Sequence, residues 1–184
     1  ALVPLTFETG ALEKLKPLAG IAADAIVSHG RTRFEEALLF THRGLSGPAI
    51  LQISSYWREG DAIAVDLLPH RDAGEALRAA RKSTPKLQVQ SVLAGLLPKK
   101  LAHLLGEELD LPGMIGDFSD KKLTTVESIL KSWTLKPVGS EGYRTAEVTL
   151  GGVDTRDLDA RTMGARNVPG LYFVGEVVDV TGWL

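Results

Sequence analysis

The stretch FTHRGLSGP, residues 40–48, joins a predicted strand to a predicted helix and divides the first part of the chain. Upstream of it, apolar residues alternate with polar ones, as in strands that are buried on one face. At its end, Pro48 stands where the first residue of a helix is favoured, and apolar residues follow at helical spacing up to Trp57. The sequence around this stretch therefore predicts strands followed by a short helix.

Working outward, residues 1–70 are predicted to be mainly β-strands. Their apolar positions recur with period two, and glycines separate the segments. The predicted inward-facing residues are Val3, Leu5, Phe7, Ile21, Ala23, Ala25, Val27, Leu38, Phe40, Ile63, Val65 and Leu67. This pattern is typical of a sheet with one buried face.

Residues 71–133 change to helical periodicity. Asp72 with Glu75 forms a capping-box pattern, Pro98 opens a further helix, and Ser119 precedes a last one. The apolar stripes between these signals are more often core than cofactor contacts. We therefore predict a small all-helical subdomain here.

The remaining residues return to strand patterns. Ala146, Val148 and Leu150 alternate with polar residues, whereas residues 171–174 form a continuous apolar run between two glycines. A run without alternation is typical of a strand that is buried on both faces of a parallel sheet. The predicted order is strands, helices, strands, which defines an α+β chain whose last strand belongs to another layer.

Composition excludes several classes of function. The 184 residues are 44% hydrophobic with a net charge of −2, which argues against an electrostatic grip on nucleic acid or on a membrane. The chain has no cysteine, so disulfides and thiolate chemistry are excluded and a cytoplasmic setting is favoured. The four histidines lack the spacing of a metal site, and we predict no bound metal. The apolar chain ends Ala1 and Leu184 suggest a segment of a longer protein.

The sequence lacks two motifs that would allow the chain to act as an enzyme by itself. A dinucleotide fold needs a Gly-x-Gly turn, and the 19 glycines provide none. A serine nucleophile at Ser46 would need one more residue before the second glycine, so a hydrolase is disfavoured. Autonomous nucleotide binding is therefore not expected.

Two other stretches keep a functional interpretation. The start of the helix at Pro48, with Arg43 nearby, offers free N–H groups to an anion, although Ser46 could simply cap that helix. Glu176 and Asp179 follow the buried run, where the ends of parallel strands place ligands. A solvated acidic loop is the alternative for this second stretch.

Four motifs in this order resemble the aminoacetone oxidase-like (BaiN-type) NAD(P)/FAD-dependent oxidoreductases: FTHRGLSGP at 40–48, AEVTLGGV at 146–153, Thr162-Met163, and GLYFVGEVVD at 170–179. The resemblance implies an insert that splits an FAD-binding domain. It implies a β-barrel-like subdomain at 1–70 plus 134–165, interrupted by the helical subdomain at 71–133, with 166–184 starting the return to the FAD-binding domain. Gly164-Ala165 departs from the Glu-Ser that usually follows Thr-Met in this family.

The resemblance also implies site residues. Gly175, Glu176 and Asp179 are expected to approach the FAD ribityl and pyrophosphate region, with Thr149, Gly151 and Gly152 crossing back toward the flavin. The substrate-side candidates are Thr41, His42, Arg43 and Ser46. FAD is expected in the longer parent protein rather than in this chain alone, with NAD(P)H as electron donor.

The predicted function is an insert that covers the flavin and shapes the pocket for a small-molecule substrate. Its predicted partner is the parent's FAD-binding domain, without nucleic acid or membrane, and the chain alone is expected to be inactive. The alternative is a non-catalytic β-barrel module that binds a ligand or a protein.

Overall fold

Seven short strands form one antiparallel sheet in this computed structural model, which describes residues 2–180 and 182. The strand order is β6-β5-β2-β3-β4-β1-β7. The strands are β1 Leu5–Thr6, β2 Ala22–His29, β3 Thr32–Thr41, β4 Gly44–Ser46, β5 Ile63–Asp66, β6 Trp133–Leu135 and β7 Gly139–Ser140. Every neighbouring pair is antiparallel, and β2 pairs with β3 along the whole length of β2, from Ala22–Leu39 to His29–Thr32.

The sheet curls around a core that the alternating pattern predicted. Ala25, Val27, Leu38 and Phe40 are buried on its inner face, while their neighbours along each strand are more exposed. The ring centroids of Phe40 on β3 and Trp133 on β6 lie 6.3 Å apart, although two strands separate β3 from β6. This contact across the interior shows a strongly curved sheet, which agrees with the barrel-like shape that the resemblance implied.

Two short helices belong to the sheet region and four to the middle of the chain. They are α1 Thr9–Leu15, α2 Pro48–Ser54, α3 Ala73–Ser83, α4 Val89–Ala94, α5 Lys99–Glu108 and α6 Asp120–Lys131. Single 3-10 turns occupy Lys16–Leu18, Ile115–Asp117, Thr155–Asp157 and Gly175–Val177. Asp72 Oδ1 accepts a hydrogen bond from Glu75 N, and Ser119 Oγ accepts one from Lys122 N, so both predicted N-caps are confirmed.

The helical unit of α3 to α6 leaves the sheet and returns to it at one place. β5 precedes the unit and β6 follows it, and these two strands pair from Ile63–Leu135 to Val65–Trp133. Leu67 N donates to Leu130 O at 2.9 Å, next to the point where the unit departs. The helical unit is therefore an insertion between two neighbouring strands.

Two glycines allow β4 to pack between its neighbours. A Cβ on Gly44 would lie 2.2 Å from Leu5 O, and one on Gly47 would lie 2.7 Å from Ala37 O. Both glycines have positive φ, at 149° and 88°. Since no larger residue fits this backbone, these two glycines of the 40–48 stretch are required by packing.

Two predictions for the end of the chain are wrong. Val148 and Leu150 lie in bends and Ala146 in irregular chain, so none of the three is in a strand. The 171–174 run is exposed, with Tyr172 at 62% and Val174 at 71%, and only Tyr172 forms an isolated bridge, to Gly164. A strand extends only along a continuous ladder of backbone hydrogen bonds. Among the described residues, the 171–174 run has only a short pairing, with Ala165 N donating to Leu171 O and Phe173 N donating to Met163 O, and the 146–150 segment has one backbone bond, from Glu147 N to Leu2 O.

The α+β class, with a helical unit interrupting a curved antiparallel sheet, is confirmed. The exact division at 1–70, 71–133, 134–165 and 166–184 stays a prediction. Within the described ranges, no helix has both the length and the apolar content needed to cross a membrane.

Candidate functional site

The six predicted cofactor residues come together although the sequence separates them into two groups. Val153 N donates to Val177 O at 2.8 Å, and Asp179 N donates to Val153 O at 2.9 Å, forming a parallel bridge. Thr149 N donates to Glu176 Oε1 at 3.1 Å. We call the two joined segments, residues 149–153 and 175–179, the crossing.

Glycine is needed at the centre of the crossing. A Cβ on Gly152 would lie 2.4 Å from Val177 O, so the two backbones can approach this closely only without a side chain there. Gly151 and Gly175 have φ of 88° and 80°, which other residues rarely adopt. The glycines of both motifs therefore build the junction itself.

The donors and acceptors of the crossing suit one part of FAD. Glu176 and Asp179 are exposed carboxylates that can accept hydrogen bonds from the hydroxyl groups of a ribityl or ribose chain. The carboxylates would repel the anionic pyrophosphate, and the sequence has no Gly-x-Gly turn to hold it. The residues present therefore fit the hydroxyl-bearing part of the cofactor and require the pyrophosphate to be bound elsewhere.

The predicted substrate-side residues form a hairpin turn between β3 and β4. Thr41 Oγ1 accepts hydrogen bonds from Arg43 N and Gly44 N, at 3.2 and 3.1 Å. The Arg43 guanidinium lies 3.7 Å from a carboxylate oxygen of Glu141, and His42 is exposed. Thr41 and Arg43 thus stabilise the turn, and their role toward a substrate stays a prediction.

Neither interpretation of the start of α2 is supported. Gly47, not Ser46, is the N-cap residue, and no side chain caps this helix. Ser46 instead lies on β4 opposite Leu39. Ala49 and Ile50 in the first turn are completely buried, so an anion has no access to their N–H groups.

A cleft of about 340 Å³ lies beside the crossing, and the sequence interpretation missed it. One wall consists of Gln52, Ser55 and Tyr56 from α2 and its end; the opposite wall includes Leu150 and Asp179. Leu2, Phe34 and Gly182 complete the lining. Gln52 is 3% exposed and is the one buried polar side chain among the described residues. The sequence signal for this cleft was a polar residue, Gln52, next to apolar Ile53 in a buried helix.

A loop next to the crossing carries two carboxylates with shifted pKa values. Hydrogen bonds and the charge of Arg156 lower the pKa of Asp154 to about 2. Hydrogen bonds from the N–H groups of Thr162 and Arg161 and from the Thr162 hydroxyl lower the pKa of Asp159. Both groups are at the surface and hold turns. Their low pKa values therefore indicate local structure rather than acid–base catalysis.

The curved antiparallel sheet, interrupted by a helical unit between two neighbouring strands, is a barrel-like domain with a helical insertion. Residues 1–148 match the family described as HI0933-like protein barrel and H2TH domain, and the chain belongs to that family, which is one of FAD-dependent oxidoreductases. The predicted flavoprotein class is thereby confirmed. The narrower resemblance stays a prediction.

Three relatives carry names that describe reductive chemistry. The chain is 51% identical over its full length to the ribosomal RNA dihydrouridine synthase of Escherichia coli and 44% identical to that of Haemophilus influenzae, covering 46% of each. It is 31% identical over 89% of its length to the 3-dehydro-bile acid delta(4,6)-reductase of Clostridium scindens, covering 44% of it. The chain thus spans about half the length of these relatives.

Proposed function

We propose that the chain is the insert of an FAD-dependent enzyme that reduces uridine in ribosomal RNA to dihydrouridine. The observation that carries the proposal is 51% identity over the whole chain to a relative with that name. The crossing adds support, because it gathers the six residues expected to approach FAD. The insert would cover the flavin and form part of the substrate pocket.

The names of the relatives describe one type of reaction. Dihydrouridine forms when a hydride and a proton add across the C5–C6 double bond of uracil, which is conjugated to a carbonyl group. The bile-acid name describes a 3-oxo compound and double bonds at positions 4 and 6, the same kind of conjugated system. When bound and reduced, FAD supplies the hydride, with NAD(P)H as the proposed source of electrons.

Residues of the chain have defined tasks in this proposal. Glu176 and Asp179 would orient the flavin through hydroxyl groups, and the backbone contacts around Gly152 would hold both carboxylates in place. The cleft wall of α2 would exclude water from the reacting base. The FAD-binding domain of the parent would supply the pyrophosphate site that the crossing lacks.

This proposal replaces the expectation that nucleic acid is not a partner. A net charge of −2 argues against non-specific electrostatic binding to RNA. It says little about the capture of one unstacked base, which depends on local stacking and hydrogen bonds. A ribosomal RNA substrate also fits the cytoplasmic setting that the absence of cysteine favoured.

The test uses the full-length protein that contains this chain. The flavin-loaded protein is incubated with NADPH and ribosomal RNA lacking dihydrouridine, and the digested nucleosides are analysed by mass spectrometry. We expect a uridine product heavier by two hydrogens, which is absent when NADPH is omitted. A protein that retains flavin but reduces a steroid enone and no uridine would favour the bile-acid type of substrate. A protein that retains no flavin would favour the binding-module alternative.

A further inference from the structure

The walls of the cleft beside the crossing are fixed by hydrogen bonds. Val3 N donates to Ser54 Oγ at 3.1 Å, which ties the start of the chain to α2. Glu147 N donates to Leu2 O at 2.8 Å, and Thr149 N donates to Glu176. These bonds hold the α2 wall at a set distance from the wall that contains Leu150 and Asp179. The two walls of the cleft are therefore connected by contacts within the chain itself.

The lining combines two aromatic rings, inclined to each other by 43°, with one buried amide. The rings of Phe34 and Tyr56 have centroids 5.7 Å apart, and Tyr56 remains 50% exposed, so one face of this pair is open to solvent. The Gln52 side chain is 3% exposed and lines the same cleft. An aromatic face beside a primary amide suits a planar ring with both donors and acceptors on its edge.

We propose that this cleft binds the uracil base, with Gln52 reading its N3–H and adjacent carbonyl and Tyr56 packing on its ring. The inference rests on the proposed function, since that function supplies the base. A glutamine amide combines an oxygen that accepts with an amino group that donates, which is the pattern that pairs with the imide edge of uracil; in this structure the Gln52 Nε2 is buried. Enzymes that modify a base commonly hold it unstacked, between apolar or aromatic side chains and hydrogen-bonding groups. Asp179, which would approach the flavin under the proposed function, lies on the opposite wall of the cleft.

The experiment compares matched variants of the flavin-loaded, full-length protein on ribosomal RNA. Gln52→Leu removes the hydrogen bonds at similar volume, and we expect kcat/KM to fall by about 10- to 100-fold. Tyr56→Ala removes the stacking face, with an expected loss of about 5- to 100-fold, whereas Tyr56→Phe keeps it and retains activity. Gln88→Leu, at an exposed glutamine of the helical unit, is the control and leaves the rate unchanged.

Flavin absorbance and circular dichroism are recorded for every variant. The inference holds if both stay at wild-type levels while Gln52→Leu and Tyr56→Ala lose activity. It is overturned if Gln52→Leu and Tyr56→Ala react at the wild-type rate, or if they lose bound flavin in proportion to activity, because the cleft would then be a cofactor site. If Gln52→Leu does not fold, the comparison of Tyr56→Ala with Tyr56→Phe tests the inference. Both Tyr56 variants are expected to fold, since this side chain is half exposed.

The result for the wild type separates the two proposals. A wild-type protein that makes dihydrouridine while both cleft variants remain fully active supports the proposed function and rejects the base pocket. A wild-type protein that holds flavin and makes no dihydrouridine rejects both.

Discussion

Residues 2–140 and residues 141–180 are built in different ways. In the first region the strands and helices share one core, and the buried members of that core extend from Leu5 to Trp133. The second region is held by turns and isolated bridges, and it leaves Tyr172, Val174 and Val180 exposed. Its buried residues Leu158 and Val178 lie outside the main core.

The difference shows that an apolar pattern becomes a strand only where a partner is present. β2 and β3 have similar alternating patterns, and each provides the other's hydrogen-bonding edge. The AEVTLGGV motif at 146–153 also alternates, but the described residues offer it only the one bridge from Val153 to Val178. We therefore expect the first region to determine stability and the second to contribute the crossing and one wall of the cleft.

The largest expected difference between the two regions is in the free energy of unfolding that is lost when a large side chain is shortened to alanine. Leu38→Ala, on a central strand and completely buried, should lower the free energy of unfolding by about 2–5 kcal/mol. Val174→Ala, at a side chain that is 71% exposed, should change it by less than about 0.5 kcal/mol. Urea unfolding of this chain, followed by circular dichroism, measures both. Equal losses would show that the two regions share one cooperative core.

A second comparison introduces a Cβ against a backbone carbonyl oxygen in each region. Gly44→Ala puts a Cβ against Leu5 O and should lower the free energy of unfolding by about 2–4 kcal/mol. Gly152→Ala puts one against Val177 O but should change it by less than about 1 kcal/mol, because the crossing opens locally. Hydrogen exchange should then accelerate at the Val153 and Asp179 amides. A large global loss from Gly152→Ala would contradict this division.

The smallest effect concerns pH and is confined to the second region. The pKa of Asp159 is lowered by its hydrogen bonds in the folded turn, so its carboxylate stabilises the turn above the ordinary aspartate pKa. That contribution is lost as the pH falls through the lowered pKa. We expect the amide signals of Arg161 and Thr162 to titrate below the ordinary range in NMR spectra. Asp159→Asn should abolish this titration. A titration midpoint at the ordinary aspartate pKa would contradict the hydrogen bonds to the Asp159 carboxylate.

Much of the first region could be predicted from the sequence because its signals are local. Pro48 marks the start of α2, and the Asp72 and Ser119 caps mark the starts of α3 and α6. The alternation at Leu38 and Phe40 gives the buried face of β3. Each of these signals depends on backbone chemistry within a few residues, so no knowledge of distant contacts was needed.

The site could be predicted only in part. The motifs placed Glu176 and Thr149 in the crossing, yet their hydrogen bond joins residues far apart in sequence. Ser46 was considered as a cap because its type suits that role, but the chain turns one residue later, at Gly47. The cleft around Gln52 was missed, since it is formed by segments whose proximity depends on the whole fold.

The insertion of the helical unit between β5 and β6 has a consequence for the order of folding events. Pairing Ile63 with Leu135 requires a long loop to close, and the entropy of closure slows such non-local pairing. Helices with mostly local contacts form faster, and α6 ends where β6 begins. Once folded, the unit holds both ends of that loop together through Leu67 N and Leu130 O. A core substitution in the unit, such as Leu123→Ala, is therefore expected to delay completion of the sheet edge although Leu123 lies in a helix.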